Sequence, residues 1–293
     1  MNKNAVLRAW ASLKSKFPGQ NIILAWGVLL IFSCTKAMGQ GDLLVSPLRI
    51  VFQGSKKSQE VNLANVGKDT ASFAVSIINI RMKEDGGFEE IDTPDAGQNF
   101  ADKYIRFFPR RVTLAPGEAQ TVKVQLIKTG EMTTGEYRSH LYFRSIPEEK
   151  PLGEPDKPKD TTSISISLVP IFGITTPVIV RVGETSVDIT LSDLSLEMVD
   201  DKTPRLSITF NRTGNQSAYG DAVMTYISPN GKETQVKLVK GIGVYTPNTV
   251  RHAKFDLDND KNIDFHKGKI HVTYSMETAN KTVKPVEAEL ELK

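Results

Sequence analysis

Apolar and polar positions alternate along most of this chain. The longest such tract spans residues 163–181, SISISLVPIFGITTPVIVR. Ile164, Ile166, Leu168, Pro170, Phe172, Ile174, Val178 and Val180 share one parity, and Ser163, Ser165 and Ser167 open the other. A period of two puts successive side chains on opposite faces of a β-strand. Strands commonly run about 5–6 residues. A tract this long therefore predicts pairing beyond one domain's sheet, or an apolar row offered to another molecule.

Shorter alternating runs, separated by turn residues, fill the rest of the chain from residue 43 and predict an all-β protein. LLVSPLRIVFQG (43–54) reads as one or two strands broken at Pro47, and SQEVNLANVG as the next strand, with NVGKD as its turn. ASFAVSIINIRM reads as a single strand ended by the KEDGG turn, followed by a polar loop over 92–102. KYIRFFPRRVTLAPGEAQTVKVQLI carries two strands about Pro116-Gly117, a pair that presets φ and then tolerates positive φ. GEYRSHLYFRSIP is another strand. EEKPLGEPDKPKDTT has almost nothing to bury and predicts a mobile loop before the long strand. Past Val182 the pattern restarts, with an Asn-Gly hairpin signal in SPNGK. The expected domains are 41–182, including the long strand 163–181, and a second sandwich over 183–293.

Composition changes the picture only at the N-terminus. The 293 residues carry a net charge of +3 with both signs interspersed, which points away from nucleic acid. Lys3, Arg8, Lys14 and Lys16 precede the apolar run 21–34, and Ala37 and Gly39 follow it. This is the layout of a secretory signal peptide over residues 1–40. Cys34, the sole cysteine, sits in IFSC, which resembles a lipoprotein box. Cleavage near Gly39 and lipid anchoring at Cys34 both stay open. Either way the exported chain has no disulfide.

Several stretches resemble the periplasmic pilus and fimbrial assembly chaperones of the PapD-like family. They are LRIVFQGSKKSQEVNLANVG, RRVTLAPGEAQTVKV, GEYRSHLYFRSIP and the strand ending in PVIVR, in the family's order over about 140 residues. GEYRSHLYFR is similar to the archaic branch in particular. The resemblance implies two immunoglobulin-like β-sandwich domains in a boomerang arrangement. It also implies an ATP-independent periplasmic chaperone that caps pilus subunits by donating its long strand and delivers them for assembly, in some systems to an outer-membrane usher. On that implication Ile164, Ile166, Leu168, Pro170 and Phe172 form the donated row, while Ile174, Val178 and Val180 belong to the chain's own core. Strand addition takes affinity from backbone hydrogen bonds and specificity from side-chain pockets. An exposed edge of this kind also predicts self-association of free molecules.

The family holds its client's terminal carboxylate with an arginine on the first strand, and Arg49 occupies that position. A guanidinium suits this because it grips a carboxylate through two parallel hydrogen bonds. The family's second anchor is a lysine near the end of the long strand. Alignment puts Pro177 there, and residues 161–180 contain no lysine. Thr175 and Thr176 are the expected replacements. Arg181 matches an arginine with an interdomain structural role.

No catalytic, metal or cofactor site is expected. DLDNDKNID (256–264) has calcium-loop spacing at first sight, but Lys261 stands where glycine is required and Lys267 where a bidentate glutamate belongs. His140, His252, His266 and His271 lack ligand spacing, and no GxSxG, Walker or dinucleotide motif is present. The alternative to a chaperone is a non-enzymatic structural or adhesive protein of two immunoglobulin-like domains, held at the cell surface with or without a lipid anchor at Cys34.

Overall fold

The computed structural model describes residues 43–147, 171–200, 202–259, 263–276 and 285–293. They form two β-sandwiches, each closed around its own apolar core.

In the first sandwich one sheet contains β1 (Leu43–Ser46), β3 (Ser58–Asn65), β9 (Ala119–Leu126) and β7 (Ile105–Phe108), in that order. The facing sheet has the order β2 (Ile50–Phe52), β11 (Gly173–Val182), β10 (Gly135–Ile146), β4 (Ala71–Ile78) and β8 (Arg111–Leu114). Between them lie Phe52, Leu63, Leu114, Leu141 and Phe143, all essentially inaccessible. Each large apolar side chain of this kind contributes about 1.5–3 kcal/mol on burial. Val178 and Val180 lie in this core, and Ile174 packs against it. The NVGKD turn is fixed from within. The buried Asn65 amide donates to Asp69 O (2.8 Å) and Leu114 O (2.9 Å), and its Oδ1 accepts from Gly67 N (2.9 Å).

The second sandwich packs β12 (Val187–Val199), β13 (Thr203–Gly214) and β16 (Val250–Asp256) onto a four-stranded sheet. That sheet has the order β15 (Glu233–Val244), β14 (Ala218–Ile227), β17 (Lys269–Met276) and β18 (Val286–Glu291). Leu206, Phe210, Met224 and Tyr274 centre its core. The expected Asn-Gly hairpin joins β14 to β15: Gly231 adopts φ +83° and its N–H donates to Ser228 O at 2.8 Å.

Two segments differ from the sequence expectation. Chain 105–126 holds three strands rather than two, because Pro109 breaks the run and sends β7 and β8 to opposite sheets. Chain 71–82 is not one strand. It breaks at Asn79, whose amide donates to Asp102 Oδ2 (3.2 Å) and whose Oδ1 accepts from Ser139 Oγ (2.6 Å). The remainder, β5 (Ile80–Met82), leaves the sheet and pairs with β6 (Phe88–Glu90) as a separate two-stranded hairpin.

That hairpin reaches the second sandwich. Glu84 O accepts from His252 N (2.7 Å), and Met82 O accepts from the Asn248 amide (2.8 Å). Met82, Ile179 and Tyr245 form a small apolar cluster between the sandwiches.

Candidate functional site

The two central strands of the β2-containing sheet carry different rows on their two faces. Tyr137, Leu141 and Phe143 on β10, with Val178 and Val180 on β11, enter the first core. The opposite parity faces the second sandwich and pairs residue for residue across the strands: Glu136 with Arg181, Arg138 with Ile179, His140 with Pro177 and Tyr142 with Thr175. Glu136, Arg138 and His140 are each 3% exposed.

At one end of this face the sandwiches are bolted together. The Glu136 carboxylate accepts from Arg181 Nε (3.1 Å), Ser217 N (3.1 Å), Thr246 Oγ1 (3.4 Å) and Ser217 Oγ. Within the second sandwich, Arg212 braces the neighbouring loops by donating to Asn248 O (2.8 Å), Gly214 O (2.7 Å) and Gln216 O (2.9 Å). A buried carboxylate is tolerated when its lone pairs are filled in this way. Burial pulls the Arg181 guanidinium below its usual value, and Glu136 acts in the opposite direction.

At the other end lies a cavity of about 290 Å³, lined by Arg49, His140, Thr175, Tyr219, Tyr245 and Arg251 among others. Arg49 immediately precedes β2, and its guanidinium carbon stacks 4.2 Å from the centre of the Tyr219 ring. Its Nε and Nη2 are buried and have no hydrogen-bond partner among the described residues. Arg251, on β16, donates from Nη1 to Gly243 O (2.6 Å), and its Nε is likewise buried and unpaired. Arg138 lies behind Tyr245, 4.3 Å from the ring centre. It donates to Ile80 O (3.2 Å), and its Nε and Nη1 have no partner among the described residues. Burial pushes its pKa down to about 10, and Arg49 adds to the effect.

Among the described residues no aspartate or glutamate lines the cavity. Asp85, on the turn between β5 and β6, and Asp221, on β14, accept from Gly87 N (2.7 Å) and Gly241 N (2.9 Å). His140 is held neutral, its pKa lowered to about 3 by burial and by Arg138. Buried donors without acceptors carry a desolvation penalty that an incoming anion relieves. The planar fork of a guanidinium favours a carboxylate or phosphate.

Arg49 and Thr175 thus share the cavity, while Arg181 sits at the bolted end. Thr176 is a correction. It has the parity of Val178 and Val180, is fully buried, and its hydroxyl has no partner among the described residues, so it faces the first core rather than the cavity. Phe172 is 42% exposed and extends the β10–β11 pairing through exchanges with Ser145 (2.8 and 2.9 Å). Ile164, Ile166, Leu168 and Pro170 lie outside the described residues. Among the described residues no group of acidic, histidine or cysteine side chains is placed to hold a metal ion. Sequence reasoning missed Arg138, Tyr219, Tyr245 and Arg251. The last three come from the second sandwich, where no motif marked them.

No family model matches the chain, and no curated protein matches it. Solved structures similar to it include the class 5 fimbriae chaperone CfaA, with 16% identity, a TM-score of 0.40, and coverage of 86% of this chain and 99% of that one. The YadV chaperone is similar at 12% identity and a TM-score of 0.43, with 86% and 100% coverage. The CsuC–CsuE chaperone–tip adhesion subunit pre-assembly complex from Acinetobacter baumannii is similar at 12% identity and a TM-score of 0.42, with 85% and 98% coverage. At these scores the functional reading rests on the cavity and the strand edge themselves.

Proposed function

We propose that this chain is an ATP-independent periplasmic chaperone that binds and caps fimbrial or pilus subunits and releases them to assembly. One observation carries the reading: an open strand edge runs straight into the arginine cavity. β2 covers β11 only at Val178, Ile179 and Val180. Along 173–177 the edge of β11 away from β10 has no strand partner among the described residues. Arg49 sits where that open edge ends. A client strand added there with its terminal carboxylate on Arg49 runs parallel to β11, as β2 does. Backbone pairing along the edge supplies affinity, and the alternating apolar residues 164–172 supply side chains for the client's incomplete core. The domains proposed for this work are a signal peptide over 1–40, the strand-donating sandwich over 41–182 and a supporting sandwich over 183–293.

The test is capture from the native cell envelope with the wild type, an Ile166→Asp/Leu168→Asp variant and Arg49→Ala. The wild type should retain a small β-rich subunit, and both variants should lose it while remaining folded. Three folded but equally empty proteins would replace the chaperone reading with that of a two-sandwich surface protein.

A further inference from the structure

We propose that Arg251, on the second sandwich, is the second cationic anchor of the cavity, so that a chain-terminal carboxylate is gripped by one arginine from each sandwich. The inference rests on reading the cavity as a carboxylate site. β11 contributes only Thr175 and Pro177 to the lining, neither of them charged. Arg138 is not part of the lining; it is tied to Ile80 O behind Tyr245. Among the described residues Arg251 remains as the cation that faces the cavity together with Arg49.

Its placement has the marks of a built position. β16 brings Arg251 to the junction, and Nη1 is fixed on Gly243 O at 2.6 Å. Gly86, at the tip of the β5–β6 hairpin, makes the space. A Cβ there would fall 2.6 Å from Nη2 and 2.7 Å from Nε. The guanidinium is therefore oriented before any ligand arrives, with Nε buried and unpaired. Orientation in advance lowers the cost of binding, and a charge-assisted bond to an unpaired donor is the stronger kind. Arg49 is held in a comparable way, stacked on Tyr219 with two unpaired donors. Both sandwiches must then keep their relation for the anchor to work, which the Glu136 bolt provides.

The experiment uses the full exported chain and a fluorescent 14-residue peptide of alternating valine and threonine with a lysine head. The peptide is made with a free terminal carboxylate, as its amide, and as an amide ending in aspartate. Binding is read by anisotropy for the wild type, Arg49→Met, Arg251→Met and Arg251→Lys. The wild type should prefer the free acid over the amide by about tenfold or more, the scale of one charged hydrogen bond. Arg251→Met should remove most of that preference while leaving amide affinity unchanged, and Arg251→Lys should restore part of it. An acid-to-amide ratio unchanged in Arg251→Met, or in the equally uncharged Arg251→Gln should Arg251→Met not fold, overturns the role of Arg251. If Arg49→Met still abolishes the ratio, the carboxylate reading survives that result. A wild type that does not discriminate acid from amide overturns both. Equal binding of the aspartate amide and the free acid overturns the chain-terminal assignment.

Discussion

His140 should make this protein lose stability in mild acid, by an amount that can be worked out in advance. The residue is 3% exposed, its ring lies edge-on to Phe88 at 6.4 Å between centroids, and its Nδ1 has no partner among the described residues. Arg138 on the same face, with Arg49 and Arg251 lining the same cavity, makes a further positive charge unwelcome. Its pKa falls from 6.5 to about 3. The unfolded chain therefore binds a proton between those values that the folded chain refuses, and stability falls as pH drops below 6.5. At 1.36 kcal/mol per unit, going from pH 7.5 to pH 5.0 removes about 2 kcal/mol through this residue alone. The figure depends mainly on the unfolded value, because the folded one lies well below 5. Urea denaturation of the wild type and His140→Gln at both pH values isolates the effect, since the other titrating groups are common to both proteins. The wild type should lose about 2 kcal/mol more than the variant. Equal losses would mean that His140 is protonated in the fold, and the account of a cation-repelling cavity would fail.

Three further substitutions probe the surroundings. Gly86→Ala places a side chain at φ +85° and against the Arg251 guanidinium; it should cost about 1–2 kcal/mol in urea denaturation and abolish acid-over-amide discrimination without removing a charge. Glu136→Gln takes the carboxylate from Arg181 and should cost about 3 kcal/mol, splitting thermal unfolding into two transitions as the sandwiches uncouple. Thr176→Val replaces a buried, unpaired hydroxyl among valines and should stabilise by about 1 kcal/mol, with peptide binding unchanged.

Strand content was legible because alternation survives wherever one face is apolar. Tyr137, Leu141 and Phe143 marked β10, and Asn-Gly marked the β14–β15 turn. The face of β10 that bears Glu136, Arg138 and His140 was not legible as a buried face. A polar row covered by a second domain is written in the same residues as a row covered by water. Only the register with Arg181, Ile179 and Pro177, set by long-range pairing, shows that this row lies inside the protein. The β5–β6 hairpin was lost for a different reason. IINIRM continues an apolar run, and the break comes from Asn79, which is bonded to Asp102 and Ser139 far along the chain. Arg49 could be singled out through its flanking strand residues. Arg251 could not, because its meaning depends on which face of another domain it meets.

The cavity also has to be stable when empty, and this explains why tyrosines surround it. Lowering the Arg138 pKa from 12.5 to about 10 corresponds to a cost on the order of 3 kcal/mol for keeping that charge in the folded state. Arg138 remains protonated at any ordinary pH, so the cost persists until pH rises toward the folded value. Tyr245 beneath Arg138 and Tyr219 beneath Arg49 each return about 0.5–2 kcal/mol through the ring face, without supplying an acceptor that would compete with a ligand. A buried glutamate in their place would satisfy the arginines outright and close the site to anions. The Tyr219 ring face holds the Arg49 guanidinium in position and leaves its Nε and Nη2 without an acceptor among the described residues. On the proposed reading, an arriving carboxylate would meet the buried donors of Arg49 and Arg251, which have no acceptor among the described residues, and that gain between the empty and filled cavity would favour binding at the end of the open strand edge.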